Sequence, residues 1–285
     1  MCLQKTMRRE SNKTPLSVVI LTYNEEANIG ACIRSMVGWA DEIFVVDSPS
    51  TDRTVEIAKN LGATIVVHKF EGYVEQRNWA LKNLPFKNEW IFFMDADEYP
   101  TEELKKEIGA RLDGNPKEKG FYINRRFVFF KKWIRYGGYY PAFILRLMRH
   151  RFATCEGMKM DEHFVVEGVV GYLKNDLMHE DWRGFHAWIE RHRKYARLKA
   201  EEYLAGRSEE GPGGNDPEAR RRVSKRRAYN KLPLFLRAFL YFSYRFFVKL
   251  GFLDGPVGWF FHILHGFWYP FRIDLEIVQL RRNHQ

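Results

Sequence analysis

Four times between residues 16 and 95, a short apolar run rich in β-branched side chains ends in polar residues and gives way to an amphipathic stretch. The runs cover residues 16–22, 42–47, 63–68 and 89–95, and their starts lie about 20 to 25 residues apart, the length of one βα unit. Strands that are apolar throughout belong in a sheet covered on both faces. The rhythm therefore predicts an α/β fold with a mostly parallel sheet between helices. Ile29, Cys32, Ile33, Met36 and Val37 recur at helical spacing and mark one buried face after the first run. Asn24 is placed to cap that helix, with Glu25 and Glu26 at its positive end. Further helices are expected near residues 52–60, 73–83 and 101–112.

After Gly120 the rhythm changes. Residues 121–130, 142–148 and 163–173 read as additional strands, partly antiparallel, and residues 185–204 as a long helix. The run Gly211-Pro212-Gly213-Gly214-Asn215-Asp216-Pro217 has the composition of a linker. These signals divide the chain into a polar extension (1–15), a catalytic domain (16–205), a linker (206–219) and a C-terminal helical segment (220–285). Hydrophobic residues make up 45% of the 285 and charged residues 29%, enough to bury a core and too apolar for wholesale disorder. Cys2, Cys32 and Cys155 are too few and too scattered for a disulfide framework or a cysteine zinc cluster, which points to a reducing compartment. Residues 1–15 lack the apolar run of a secretory signal, so the catalytic part is expected in the cytosol.

In open α/β sheets ligands bind beyond the carboxyl ends of the strands. The first run leads into Thr22-Tyr23-Asn24-Glu25, the second into Asp47 and Ser48, and the fourth into Asp95-Ala96-Asp97-Glu98. No glycine-rich dinucleotide or P-loop motif is present, which excludes two common nucleotide-binding classes. Two carboxylates one residue apart at a strand end suit Mg²⁺ or Mn²⁺, with the ion also taking the oxygens of a diphosphate. A solvated acidic turn before the next helix is the plainer alternative.

The order and spacing of several motifs resemble those of family 2 inverting glycosyltransferases of the GT-A fold. They are Val18 to Glu25, Asp47 with Ser50-Thr51-Asp52 and Thr54, Gln76-Arg77-Asn78 with Ala80, and Asp95-Ala96-Asp97. The resemblance covers roughly residues 16–177 and is nearest to bacterial lipopolysaccharide-core and polyprenol-linked-oligosaccharide β-glucosyltransferases. It implies a Rossmann-like sheet and transfer from a UDP-sugar, most simply UDP-glucose, to a lipid-linked saccharide acceptor. It also implies that Thr22, Tyr23 and Glu25 line the nucleotide pocket and that Asp47 accepts a hydrogen bond from uracil or ribose. Arg77 would face the donor diphosphate or sugar. Asp95 and Asp97 would hold ribose and metal, with His179 as a further metal ligand. An inverting transfer needs a base for the acceptor hydroxyl. The resembling enzymes carry a His-Glu pair where this chain has Asp161-Glu162, so Glu162 is the candidate. Asp161 stays open, and Glu180 and Asp181 compete. The departure at Asp161 also keeps a nucleotide-sugar binder without turnover in play.

The net charge of +10 lies wholly in the tail, since residues 220–285 hold 13 Lys and Arg against 3 Asp and Glu. Aromatic residues crowd there too, 15 of the 42 in residues 232–273. A nucleic-acid-binding protein using the basic run 220–231 is one reading, but the zero net charge of residues 1–219 argues against it. Cations with interleaved rings point instead to an anionic membrane surface on the cytoplasmic side. Arg221, Arg222, Arg226, Arg227, Arg237, Arg245, Lys249, Trp259 and Trp268 are the expected contacts. The longest uncharged stretch, 17 residues at 255–271, falls short of the about 20 needed for a span, so in-plane or re-entrant helices are expected.

Overall fold

The first apolar run forms the centre of the sheet. In the computed structural model, which describes residues 13–158, 161–206 and 217–283, β1 (Thr14–Thr22) lies parallel to both β2 (Ala40–Asp47) and β4 (Trp90–Asp95). β3 (Thr64–Val67) extends the parallel half beyond β2. Helices cover both faces, which is why these strands are apolar throughout. On one side Val18 and Ile20 pack with α1 (Ile29–Arg34), α2 (Thr54–Asn60) and α4 (Glu102–Asp113). On the other, Val19 and Phe93 pack with α3 (Tyr73–Asn83) and a small hairpin, β9 (Ala153–Met158) with β10 (Asp161–Val166).

The sheet continues from β4 through β8 (Phe143–Arg149), β6 (Gly120–Phe129) and β11 (Val170–Glu180) to the short β5 (Glu98–Pro100), with β7 (Lys132–Trp133) beside β6. β8 is antiparallel to both β4 and β6, while β11 is parallel to β6. Two reversals restore direction, so β11 ends at the same edge of the sheet as β1 and β4.

Three expectations are corrected. The single strand expected at 163–173 is two, β10 and β11, separated at Gly168, whose φ of +125° suits glycine and not a strand interior. Asn24 does not cap the first helix. It sits in the left-handed region (φ 54°) and accepts from the Thr51 amide at 2.8 Å, and α1 starts only at Ile29. The expected linker loses its last three residues to α6 (Pro217–Asn230), and residues 207–216 lie outside the described residues.

The C-terminal helices pack against the catalytic unit. α5 (Gly184–Leu204) runs beside α9 (Tyr269–Asn283). α7 (Leu236–Ser243) and α8 (Gly255–Phe261) each widen into π-helical turns, at Tyr244–Val248 and His262–Trp268. Phe261 is buried against Phe127 at 5.0 Å, Phe129 at 5.1 Å and Tyr139 at 4.8 Å. Asp254 accepts from the Arg135 and Tyr136 amides and pairs with His262. That contact leaves no room at Gly137, where a Cβ would meet His262 Cε1 at 2.2 Å. Among the described residues no helix is long and apolar enough to cross a membrane.

Candidate active site

The carboxyl ends of β1, β2, β4 and β11 supply the site. At the first two, Thr22 Oγ1 donates to Asp47 Oδ1 at 2.8 Å, and Ser50 donates to the same carboxylate from its amide (2.8 Å) and hydroxyl (2.6 Å). Thr22 and Asp47 are buried and tie two strand-end loops together, while Tyr23 between them is exposed. Of the expected base-pocket residues at these two strand ends, Tyr23 is exposed and Glu25 half-buried.

Asp95 is gripped by two arginines, Arg146 Nη2 at 2.5 Å and Arg77 Nη2 at 3.3 Å. Burial pushes its pKa up, but Arg146 and then Arg77 outweigh burial and hold the carboxyl well below the usual carboxylate range. The other arm of Arg77 donates to Glu162 Oε1 at 2.9 Å. One buried guanidinium thus joins a residue of α3, the end of β4 and the hairpin strand β10. The fork geometry explains the choice of arginine, since a lysine cannot reach two carboxylates as a planar pair of donors.

Asp97 faces another way, toward the end of β11. Its Oδ2 lies 3.3 Å from His179 Nε2 and 3.8 Å from Arg183 Nη2. Arg183 also donates to Glu25 Oε1 at 2.8 Å and, through Nε, to Asp181 Oδ1 at 2.9 Å. Arg191 reaches Asp181 Oδ2 at 2.6 Å. Burial pushes the Glu25 carboxyl up to about 7 although Arg183 opposes it. For His179 burial lowers the pKa, but the Asp97 carboxylate outweighs it and the net direction is up.

The structure brings Arg77, Asp95 and Glu162 into one constellation, and Glu25, Asp97 and His179 into a second around Arg183. Asp95 does not join Asp97 and His179 in a cage. Among the described residues no three His, Cys, Asp or Glu side chains converge as metal ligands. The donors that fit a divalent ion are the Asp97 carboxylate and the His179 imidazole, an oxygen and a nitrogen facing each other, with the remaining positions left to substrate oxygens. The competing bases are engaged elsewhere, Glu180 with Tyr99 Oη at 2.9 Å and Asp181 with two arginines. The Asp161 side chain lies outside the described residues. Arg183 and Arg191 carry no motif in the sequence, and Glu98, quoted only as part of a polar strand end, is buried and accepts from the Asp95 amide at 2.9 Å. The one signal for Arg183 is its place four residues after His179.

A family model described as "Glycosyl transferase family 2" matches residues 17–166, more than half of the chain. The chain belongs to glycosyl transferase family 2. The transferase is 30% identical over 204 residues to the lipopolysaccharide core biosynthesis glycosyltransferase LpsC of Rhizobium meliloti (strain 1021), covering 67% of this chain and 73% of that one. It is 48% identical over 93 residues to an uncharacterized glycosyltransferase of Rickettsia bellii (strain RML369-C). The match spans only 31% of the length of that relative. The mixed Rossmann-like sheet is the GT-A arrangement. Glucosyl-3-phosphoglycerate synthase from Mycobacterium tuberculosis, solved with Mn²⁺ and UDP, aligns over 40% of this chain and 44% of its own at 24% identity. The TM-score of 0.34 is too low for that likeness to transfer a ligand.

The expected membrane contacts of the transferase fall into two groups. Lys249, Trp259 and Arg227 are exposed and Arg226 is half-buried. The side chains of Arg221 and Arg222 lie outside the described residues. Arg237, Arg245 and Trp268 are turned inward, contrary to expectation. Arg237 is buried and pairs with Asp274. Arg245 donates to the Gly137 carbonyl at 2.6 Å with its guanidinium 3.7 Å from the Tyr139 ring. Trp268 is half-buried, 6.3 Å from Trp188. Residues 237, 241 and 245 are four apart and so share one helix face, and that face packs on the protein.

Proposed function

We propose that the transferase moves a sugar, with inversion, from a UDP-sugar to a saccharide carried on a lipid, such as a lipopolysaccharide core or a polyprenyl-diphosphate oligosaccharide. The donor sugar is glucose on this reading. The observation that carries it is the buried Arg77 fork, which sets Glu162 beside Asp95 next to the Asp97–His179 pair at one sheet edge. The printed name of LpsC supports the choice of acceptor.

Glu162 is the base. As the acceptor hydroxyl oxygen bonds to the anomeric carbon, the bond from that carbon to the diphosphate breaks and the hydroxyl proton passes to Glu162. Arg77 aims that carboxylate through the 2.9 Å contact to its Oε1. Asp97 and His179 would hold Mg²⁺ or Mn²⁺, which supplies positive charge to the departing diphosphate. Arg183, tied to three carboxylates around that pair, keeps the strand-end loops of β1, β4 and β11 in register. Tyr23, exposed at the end of β1, offers a ring for the base to stack on.

The test is donor turnover by purified protein with a panel of nucleotide-sugars and Mn²⁺, alongside thermal shift. UDP-glucose should raise the melting temperature and be turned over. Asp97→Asn and Glu162→Gln should each lower turnover by about 100-fold or more while the fold persists. Turnover at the unmodified rate in either variant overturns the assignment of that residue.

A further inference from the structure

We propose that the outer face of α7, its following π-helical turns and α8 seats on an anionic lipid bilayer and holds the catalytic cleft at the membrane edge. Phe239, Phe247, Val248, Leu253, Trp259 and Phe260 are all exposed, Phe247 at 60% and Val248 at 66%. Large apolar side chains scattered singly over a surface are ordinary, but this many within one short segment mark an interaction face.

The charge of the tail that carries this face identifies the partner. Its three acids, Asp254, Asp274 and Glu276, are all buried, and each has an internal partner: His262, Arg237 and Arg272 respectively. Lys225, Lys231 and Lys249 are exposed. Among the described residues of the tail, the outward charge is thus of one sign. Exposed rings in a tail whose exposed lysines are not matched by exposed acids complement an anionic leaflet. They do not complement a second copy of this chain, because a two-fold interface would set the same positive face against itself.

The face is also connected to the cleft. The Phe260 ring lies 5.6 Å from Phe185, and Phe185 lies 6.2 Å from Phe130, both exposed. Three residues before Phe185, the exposed Trp182 adjoins Asp181 and Arg183 of the site. An aromatic strip thus leads from the docking face to the cleft mouth, where the hydrocarbon of a lipid-linked acceptor would lie. This last step rests on the transferase reading, whereas the docking does not.

Co-sedimentation of the full chain with vesicles, without donor or acceptor, tests the docking. Binding is expected to phosphatidylcholine vesicles containing about 30% phosphatidylglycerol and not to phosphatidylcholine alone, and it should weaken with salt. The variant Phe247→Glu/Val248→Glu should bind at least about tenfold more weakly, with an unchanged melting temperature because both positions are exposed. Equal binding of this variant, equal binding to neutral vesicles, or a dimer in sedimentation velocity that the variant dissolves would overturn the proposal. A failed transfer assay would leave the vesicle result standing, so the two readings fail separately.

Discussion

Replacing Arg77 by methionine tests how the base is held. Arg77 is 4% exposed, and its guanidinium spans Glu162 at 2.9 Å and Asp95 at 3.3 Å. Methionine keeps most of the volume and removes the fork. Asp95 retains Arg146, but Glu162 loses the arginine that aims it. A hydrogen bond to a charged group is worth about 1.5–3 kcal/mol. If that energy goes into placing the base, kcat falls about 10- to 150-fold at about 1.4 kcal/mol per decade, while the donor KM changes little. The decisive measurement is a double-mutant cycle in donor turnover with Glu162→Gln. Arg77→Met should slow the wild type by that factor and the Glu162→Gln background hardly at all, a coupling of about 1.5–3 kcal/mol. Additive losses would refute the argument and return Arg77 to the donor diphosphate, the role implied by the resemblance.

Three further outcomes follow from the same geometry. Arg237→Leu strands the Asp274 carboxylate in the core and should cost about 3–5 kcal/mol in urea unfolding, whereas Arg237→Leu/Asp274→Leu should recover most of it; equal losses in both variants would show that the pair is not the cause. His265 and His192 are both lowered by burial, His265 well below its ordinary value. The unfolded imidazoles take up protons near pH 6.5 and the folded ones resist. Their contribution is therefore complete above about pH 6.5 and is lost as pH falls below it. Glu25, raised to about 7, contributes in the opposite sense over the same window, so the check is the difference between wild type and His265→Phe in melting followed from pH 7.5 to 5. The wild type should lose more stability than the variant as pH falls, and equal slopes contradict the reasoning. Asp97→Asn should lower Mn²⁺-supported turnover by about 100-fold or more and shift its Mn²⁺ dependence, and an unaltered metal titration would count against Asp97.

The parallel half of the sheet was legible because nothing else accounts for apolar runs of that length with polar ends. The hairpin was not. Residues 163–173 alternate well enough for one strand, and only the positive φ at Gly168 separates β10 from β11. Asp95 and Asp97 stood out as a pair, and Arg77 and His179 were named with them, but the ion pairs of Asp95 were not legible. Arg77 and Arg146 reach Asp95 from positions 18 and 51 residues away, and no local pattern reports such a meeting. The tail misled for a related reason. Both faces of α7 are aromatic, so periodicity could not tell inside from outside. The deciding fact is Asp274, 37 residues from Arg237, which draws that arginine into the core.

The unequal hold on the two aspartates bears on how a divalent ion would bind. Charge-assisted nitrogen–oxygen bonds usually span about 2.7–2.9 Å. Asp95 has one contact shorter than that and a second guanidinium behind it, so an ion there would have to displace arginine. Among the described residues Asp97 pairs with an imidazole at 3.3 Å and a guanidinium at 3.8 Å, and Arg183 is already anchored on Glu25 and Asp181 at 2.8 and 2.9 Å. Spare capacity therefore lies at Asp97 and His179. Two donors are few for Mg²⁺ or Mn²⁺, which prefer about six ligands and take phosphate oxygens readily. The ion should accordingly bind poorly to the protein alone and well with UDP present. Mn²⁺ titration followed by electron paramagnetic resonance should show at least about tenfold tighter binding when UDP is added, and by linkage UDP should tighten equally with Mn²⁺. Equally tight Mn²⁺ binding without nucleotide would mean that a third protein ligand completes the site and that Asp95 leaves its arginines to supply it.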